Sequence, residues 1–159
     1  MNDGMNWSFW VLVSVLLFWG TLSCAGVDVK DAEELQKLIE NGTTTESVIE
    51  LRDHIVFSEK LVFPLGDKSG TCKHLSGVLH GNGHSIRCKG MSSNDQKKYT
   101  GLFCGLEDVT IDNLVIGASC FFGGSYGGAL SKEATGSVYL ENVTNMAQFN
   151  GSSSGGFIG

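Results

Sequence analysis

An internal repeat dominates this chain. Val109-Thr110-Ile111-Asp112-Asn113-Leu114 lies without gaps on Val138-Tyr139-Leu140-Glu141-Asn142-Val143, 29 residues later, and Ala118 and Ala147 keep the same offset. Glycine corners recur too, 27 and 28 residues apart: Gly101-Leu102-Phe103, Gly127-Gly128-Ala129-Leu130 and Gly155-Gly156-Phe157-Ile158. A period in the high twenties exceeds a heptad and falls short of a propeller blade of about 40 residues. It suits one coil of a parallel β-solenoid, in which each coil stacks its apolar residues on the next. Strand alternation then turns Ile111 and Leu140 inward, with Leu114 and Val143 stacking likewise, and leaves Asp112 and Glu141 in solvent. Asn113 and Asn142 fall at the same place in adjacent coils, where their amides can hydrogen-bond along the stack. An unpaired buried amide there would cost about 1–3 kcal/mol.

The rest of the chain fits this pattern. Asp31-Ala32-Glu33-Glu34 reads as a capping box, with Leu35, Leu38 and Ile39 forming an apolar helical stripe that Asn41-Gly42 closes. The spacing predicts one helix over Asp31–Glu40, capping the N-terminal end. Short strands are predicted at Val48–Leu51, Ile55–Phe57, Leu61–Phe63, Gly77–Leu79, Ser85–Arg87, Val109–Asp112, Leu114–Ile116 and Val138–Val143. Twenty-two glycines and a single proline suit many tight corners.

The first residues stand apart. Trp7 to Ser23 carry no charge, and Ser23-Cys24-Ala25 offers the small-x-small pattern of a signal-peptidase site. The predicted division is a signal peptide over 1–25, an N-terminal cap with its helix over 26–47, and solenoid coils over 48–159. Asp3 and the lack of Lys or Arg before the apolar run leave an uncleaved signal-anchor open. With the segment removed, the formal charge falls from −6 to −5 through loss of Asp3. A mildly acidic chain whose Lys97-Lys98 stands isolated is a poor nucleic-acid binder, so nucleic acid is excluded as a partner.

Export alters the reading of the cysteines. Cys72, Cys88, Cys104 and Cys120 remain, each 16 residues from the next. Zinc fingers require close pairs, and none exists here. In an oxidising compartment these four are candidate disulfide cysteines; three pairings are open, as are free core thiols. Asn41, Asn142 and Asn150 begin N-glycosylation sequons.

Candidate chemistry is thin. His80-Gly81-Asn82-Gly83-His84 offers two imidazoles about a tight turn, yet Asn82-Gly83 between apolar flanks reads as a corner rather than a metal site. Glu107, Asp108 and Asp112 supply carboxylates, but adjacent strand residues face opposite ways, which weakens Glu107-Asp108 as an acid–base pair. Gly123 to Gly128 lacks the lysine and helix of a phosphate loop. Tyr99, Phe121, Phe122 and Tyr126 are aromatic residues beside glycine turns, and Phe122 and Tyr126 are the candidate glycan-stacking pair, against ordinary packing. No catalytic, cofactor-binding or metal residue is assigned, and no cofactor is expected.

Leu75-Ser-Gly-Val-Leu79-His-Gly81-Asn82-Gly83-His84-Ser-Ile86 resembles the stretch that opens the helix in right-handed parallel β-helix, pectin-lyase-like surface proteins, although His80 stands where that family usually has Asp. The Gly-Leu-Phe-Cys-Gly, Gly-Gly-Ala-Leu and Gly-Gly-Phe-Ile-Gly segments resemble the GLUG-type glycine repeats of bacterial and protist surface proteins. The resemblance covers roughly residues 28 to 159. It implies an all-β right-handed parallel β-helix serving as a secreted or cell-surface scaffold, adhesin-like or glycan-binding, with no catalytic site of its own. Expected partners are carbohydrate and host or cell-surface molecules, with membrane contact only through the N-terminal signal or a further C-terminal anchor. The rival expectation is the N-terminal fragment of a polysaccharide lyase or glycoside hydrolase. An ending just after a repeat corner, without a polar cap, suggests a chain truncated at the C-terminus.

Overall fold

The computed structural model describes residues 25–58, 64–68, 70–90, 100–123, 127–150 and 155–159. In chain order its elements are β1 (Val27–Val29), α1 (Ala32–Asn41), β2 (Val48–Leu51), β3 (Ile55–Phe57), β4 (Asp67–Lys68), β5 (Thr71–Cys72), β6 (His74–His80), β7 (Ser85–Cys88), β8 (Gly105–Asp112), β9 (Val115–Ile116), β10 (Phe121–Gly123), β11 (Ala134–Glu141), β12 (Thr144–Asn145) and β13 (Gln148–Asn150). The protein is mostly β with parallel sheets. The expected signal peptide, apart from Ala25, the Leu61–Phe63 strand, Lys97-Lys98, Tyr99 and Tyr126 lie outside the described residues.

Two sheets carry the architecture. One has five strands in the order β1-β2-β6-β8-β11, all pairs parallel. The other has four, running β3-β7-β9-β12, again all parallel. The chain visits them in turn: β2 leads to β3, β6 to β7, β8 to β9 and β11 to β12. β10 pairs with β13 in parallel, while β4 and β5 form an antiparallel hairpin.

Register follows the hydrophobic pattern. Ile49, Leu79, Ile111 and Leu140 align across four strands, the first three without exposure and Leu140 half-buried. Ile55, Ile86 and Ile116 form a second buried line in the four-stranded sheet. The expected Val109/Val138 and Ile111/Leu140 partners are direct register neighbours. Successive strands lie 29 residues apart at Asn113/Asn142 but 32 apart at His80/Asp112.

Glycine corners have a steric cause. Phe103 bridges Ser131, and Ser131 bridges Ile158. A Cβ on Gly101 would stand 2.8 Å from the Ser131 Cα, and one on Gly128 would stand 2.6 Å from the Ile158 Cα. Any side chain there would force adjacent backbones apart. α1 contributes Leu35 and Ile39 to the core, both fully buried. Asp31 caps it, accepting from the Glu33 and Glu34 amides at 2.9 Å, while Glu34 reaches back to the Lys30 N–H at 2.8 Å.

Candidate functional site

Polar side chains on the outer face of the five-stranded sheet form a ladder. Asp28, Glu50, His80, Asp112 and Glu141 are register neighbours across all five strands. His80 Nδ1 donates to Asp112 Oδ2 at 2.7 Å, and its Nε2 lies 4.0 Å from Glu50 Oε1. Arg52 Nε donates to Asp28 Oδ1 at 2.8 Å. A row of asparagines borders the ladder: Asn82 donates to Glu50 and the Leu51 carbonyl, Asn113 to Asp112, and Asn142 to Asn113 Oδ1 at 3.3 Å. The expected Asn113/Asn142 stacking bond is therefore present, and Asn82 continues the row.

The His80-to-His84 segment is a corner. Asn82 and Gly83 take φ of 52° and 77°, and His84 N–H donates to the Gly81 carbonyl at 2.8 Å. Its two imidazoles have different partners. His84 meets His54 edge-on at 5.3 Å, while His80 pairs with Asp112. His54 Nδ1 accepts from the Ser85 backbone N–H at 2.9 Å, so the proton of the neutral ring resides on Nε2. With Ser85 and Arg87 it borders an open groove of about 330 Å³ that reaches Val115, Ser119 and Met146.

A third grouping lies where β5 and β6 meet the approach to β11. His74 has Nδ1 3.5 Å from Glu107 Oε2 and Nε2 3.7 Å from Glu133 Oε1. Beside it, Cys72 is joined to Cys104, and Cys88 to Cys120. The four expected cysteines thus form two disulfides, each spanning 32 residues, which selects one of the three open pairings. Glu133 Oε1 is 3.8 Å from Cys72 Sγ. A disulfide sulfur carries no proton to donate, so this is a contact rather than a hydrogen bond.

The weighed carboxylates part company. Glu107 faces His74, Asp112 holds His80, and Asp108 folds into a bulge where its Oδ1 accepts from Ser137 N–H at 2.9 Å. Phe122 corrects the glycan-stacking expectation: it is fully buried against Phe149, with ring centroids 6.4 Å apart, and has no face for a sugar. Among the described residues Tyr139 is the exposed aromatic instead, at 66%. It belongs to the recognised repeat, where alternation between inward Val138 and Leu140 was the signal for it. Of the sequons, Asn41 is exposed at the end of α1 and Asn142 is exposed in its corner, whereas Asn150 adjoins residues outside those described.

No helix among the described residues is long and apolar enough to cross a membrane. Comparison of the chain with protein-family models, with curated proteins and with solved structures yields no match.

Proposed function

We propose that this chain is a right-handed parallel β-solenoid acting as a secreted or cell-surface scaffold whose five-stranded face binds neutral glycans. The observation that carries the reading is the in-register ladder Asp28–Glu50–His80–Asp112–Glu141 beside exposed Tyr139. Carboxylates and amides repeated at the strand spacing of roughly 4.8 Å offer a row of partners for sugar hydroxyls. An aromatic face supplies the apolar contact. Formal charge of −6 disfavours polyanionic polymers. Two disulfides support an oxidising compartment, in keeping with export through the N-terminal signal.

A glycan array probed with the purified protein tests this. Neutral polymers are retained, polyanionic ones are not, and Tyr139→Ala or Asp112→Ala weakens retention by about tenfold, the scale of one lost charge-assisted or aromatic contact. Absence of any retained neutral glycan would remove the binding role.

The second reading, a polysaccharide lyase or hydrolase, draws on one feature. Asp112 orients His80 with Nε2 directed towards Glu50, an arrangement suited to proton transfer. Release of reducing or unsaturated ends from polygalacturonate or neutral polymers, lost in His80→Ala, would favour it over the scaffold.

A further inference from the structure

We propose that reduction of Cys72–Cys104 converts the corner around His74 into a zinc site, with Cys72 Sγ, His74 Nε2 and a Glu133 carboxylate oxygen as ligands and water in the fourth position. The three donor atoms lie within 4.8 Å of one another. Glu133 Oε1 stands 3.7 Å from His74 Nε2 and 3.8 Å from Cys72 Sγ. Ligands of a tetrahedral zinc, with bonds of about 2.0–2.3 Å, sit roughly 3.4–3.6 Å apart. The two gaps to Glu133 exceed that by only a few tenths of an ångström, and Cys72 Sγ and the His74 ring nitrogen lie within 4.8 Å of each other.

Three further features favour the site. Metal-bound imidazoles usually direct their other ring nitrogen to a carboxylate, and His74 Nδ1 faces Glu107 Oε2 at 3.5 Å. Gly105 lies under the ring, so close that a Cβ there would collide with His74 Cδ2 and reach within 2.7 Å of Nε2. Any other residue at 105 would push the imidazole out of place. Glu133 is held at its backbone by the fully buried Ser131 hydroxyl, which accepts from its N–H at 3.2 Å and contacts its carbonyl at 2.8 Å.

The disulfide is the gate. While Cys72 is bonded to Cys104 its sulfur has no anionic pair to give, and zinc requires thiolate. Two thiols of an external reductant supply two electrons and two protons, leaving as their own disulfide. The Sγ–Sγ bond breaks to give two cysteine thiols, and Cys72 releases its proton to water as the thiolate takes the metal. The chain thus holds either the crosslink or the ion. None of these residues belongs to the Asp28–Glu141 ladder, and the proposal does not rest on the glycan reading.

The test uses the full chain and the metal alone. In the Cys24→Ser/Cys88→Ser/Cys120→Ser variant only Cys72 and Cys104 remain of the five cysteines, and their bridge is the one to be reduced. Calorimetry with Zn²⁺ gives one ion bound per chain after treatment with a phosphine reductant, and none before it. Co²⁺ gives a thiolate charge-transfer band in the reduced chain only. Cys104→Ser leaves Cys72 permanently free and binds zinc without reductant. His74→Gln and Glu133→Gln lose the cobalt band, while circular dichroism stays that of the parent. Glu107→Gln weakens zinc binding by about 10–100-fold, as loss of an orienting carboxylate does. Equal binding by oxidised and reduced chains, no binding by Cys104→Ser, or a cobalt band that survives in folded His74→Gln would each overturn the proposal.

Discussion

Asn82, Asn113 and Asn142 hold φ of 52°, 49° and 51°. Such backbone costs an ordinary L-residue roughly 1–2 kcal/mol, and asparagine tolerates it through local hydrogen bonds. Asn113→Ala should therefore lower stability by about 1–2 kcal/mol in urea unfolding, and Asn113→Gly by less, since glycine adopts this backbone freely. The Asn113/Asn142 pair was legible because it sits at the same place in both copies of the repeat. Asn82 escaped because Gly81 intervenes after His80, whereas Asn113 directly follows Asp112. Parity explains the aromatics as well. Tyr139 lies in a recognised strand, so its outward direction could be derived. Phe122 lies in β10, whose Phe121-Phe122-Gly123 shows no polar–apolar alternation from which to assign a buried side.

Among the elements, the longest strands exceed their expected lengths, and in each the cause is a bulge. β6, β8 and β11 change register at Leu75/Gly77 and Thr135/Val138, with positive φ at Gly77, Asp108 and Gly136. Glycine and aspartate read as strand breakers in a sequence, so the predicted strands began only at or after these points. A Cβ at Gly77 would collide with the Ser47 carbonyl and stand 2.7 Å from that of Thr44. Gly77→Ala should cost at least about 2 kcal/mol, combining backbone strain with collision, and show as a lowered melting temperature. The helix was plainer, since cap, stripe and closing glycine agree. Asp31→Ala should cost about 1 kcal/mol, because two first-turn amides lose their acceptor. β13 was not legible because Gln148-Phe149-Asn150 holds a single apolar residue, whereas the equally short β3 has Ile55 and Phe57 on one side of the strand.

At the scale of the molecule, parallel stacking was legible downstream, where the offset is regular. It was less so upstream, where the spacing widens to 32 and blurs the repeat. The candidate sites were hardly legible. His80 meets Asp112 from 32 residues away, and Cys72 meets Glu133 from 61. Only strand register supplies those partners. The even spacing of the cysteines could not choose a pairing, but 32 residues is close to the 30 to 32 that separate register partners in β7/β9 and β6/β8, so bridges of that span fall beside paired strands. Closing a loop of that length should contribute roughly 3–4 kcal/mol on the chain-entropy account. The Cys88→Ser/Cys120→Ser variant should unfold at correspondingly lower denaturant than the parent under oxidising conditions.

The two crosslinked loops overlap, one running from Cys72 to Cys104 and the other from Cys88 to Cys120. Any single proteolytic cut between Cys72 and Cys120 is consequently spanned by at least one intact sulfur bridge. A nicked molecule travels as one band on a denaturing gel and separates into two pieces only after a thiol is added. Digestion of this stretch can thus pass unseen in any assay that leaves the sulfurs oxidised.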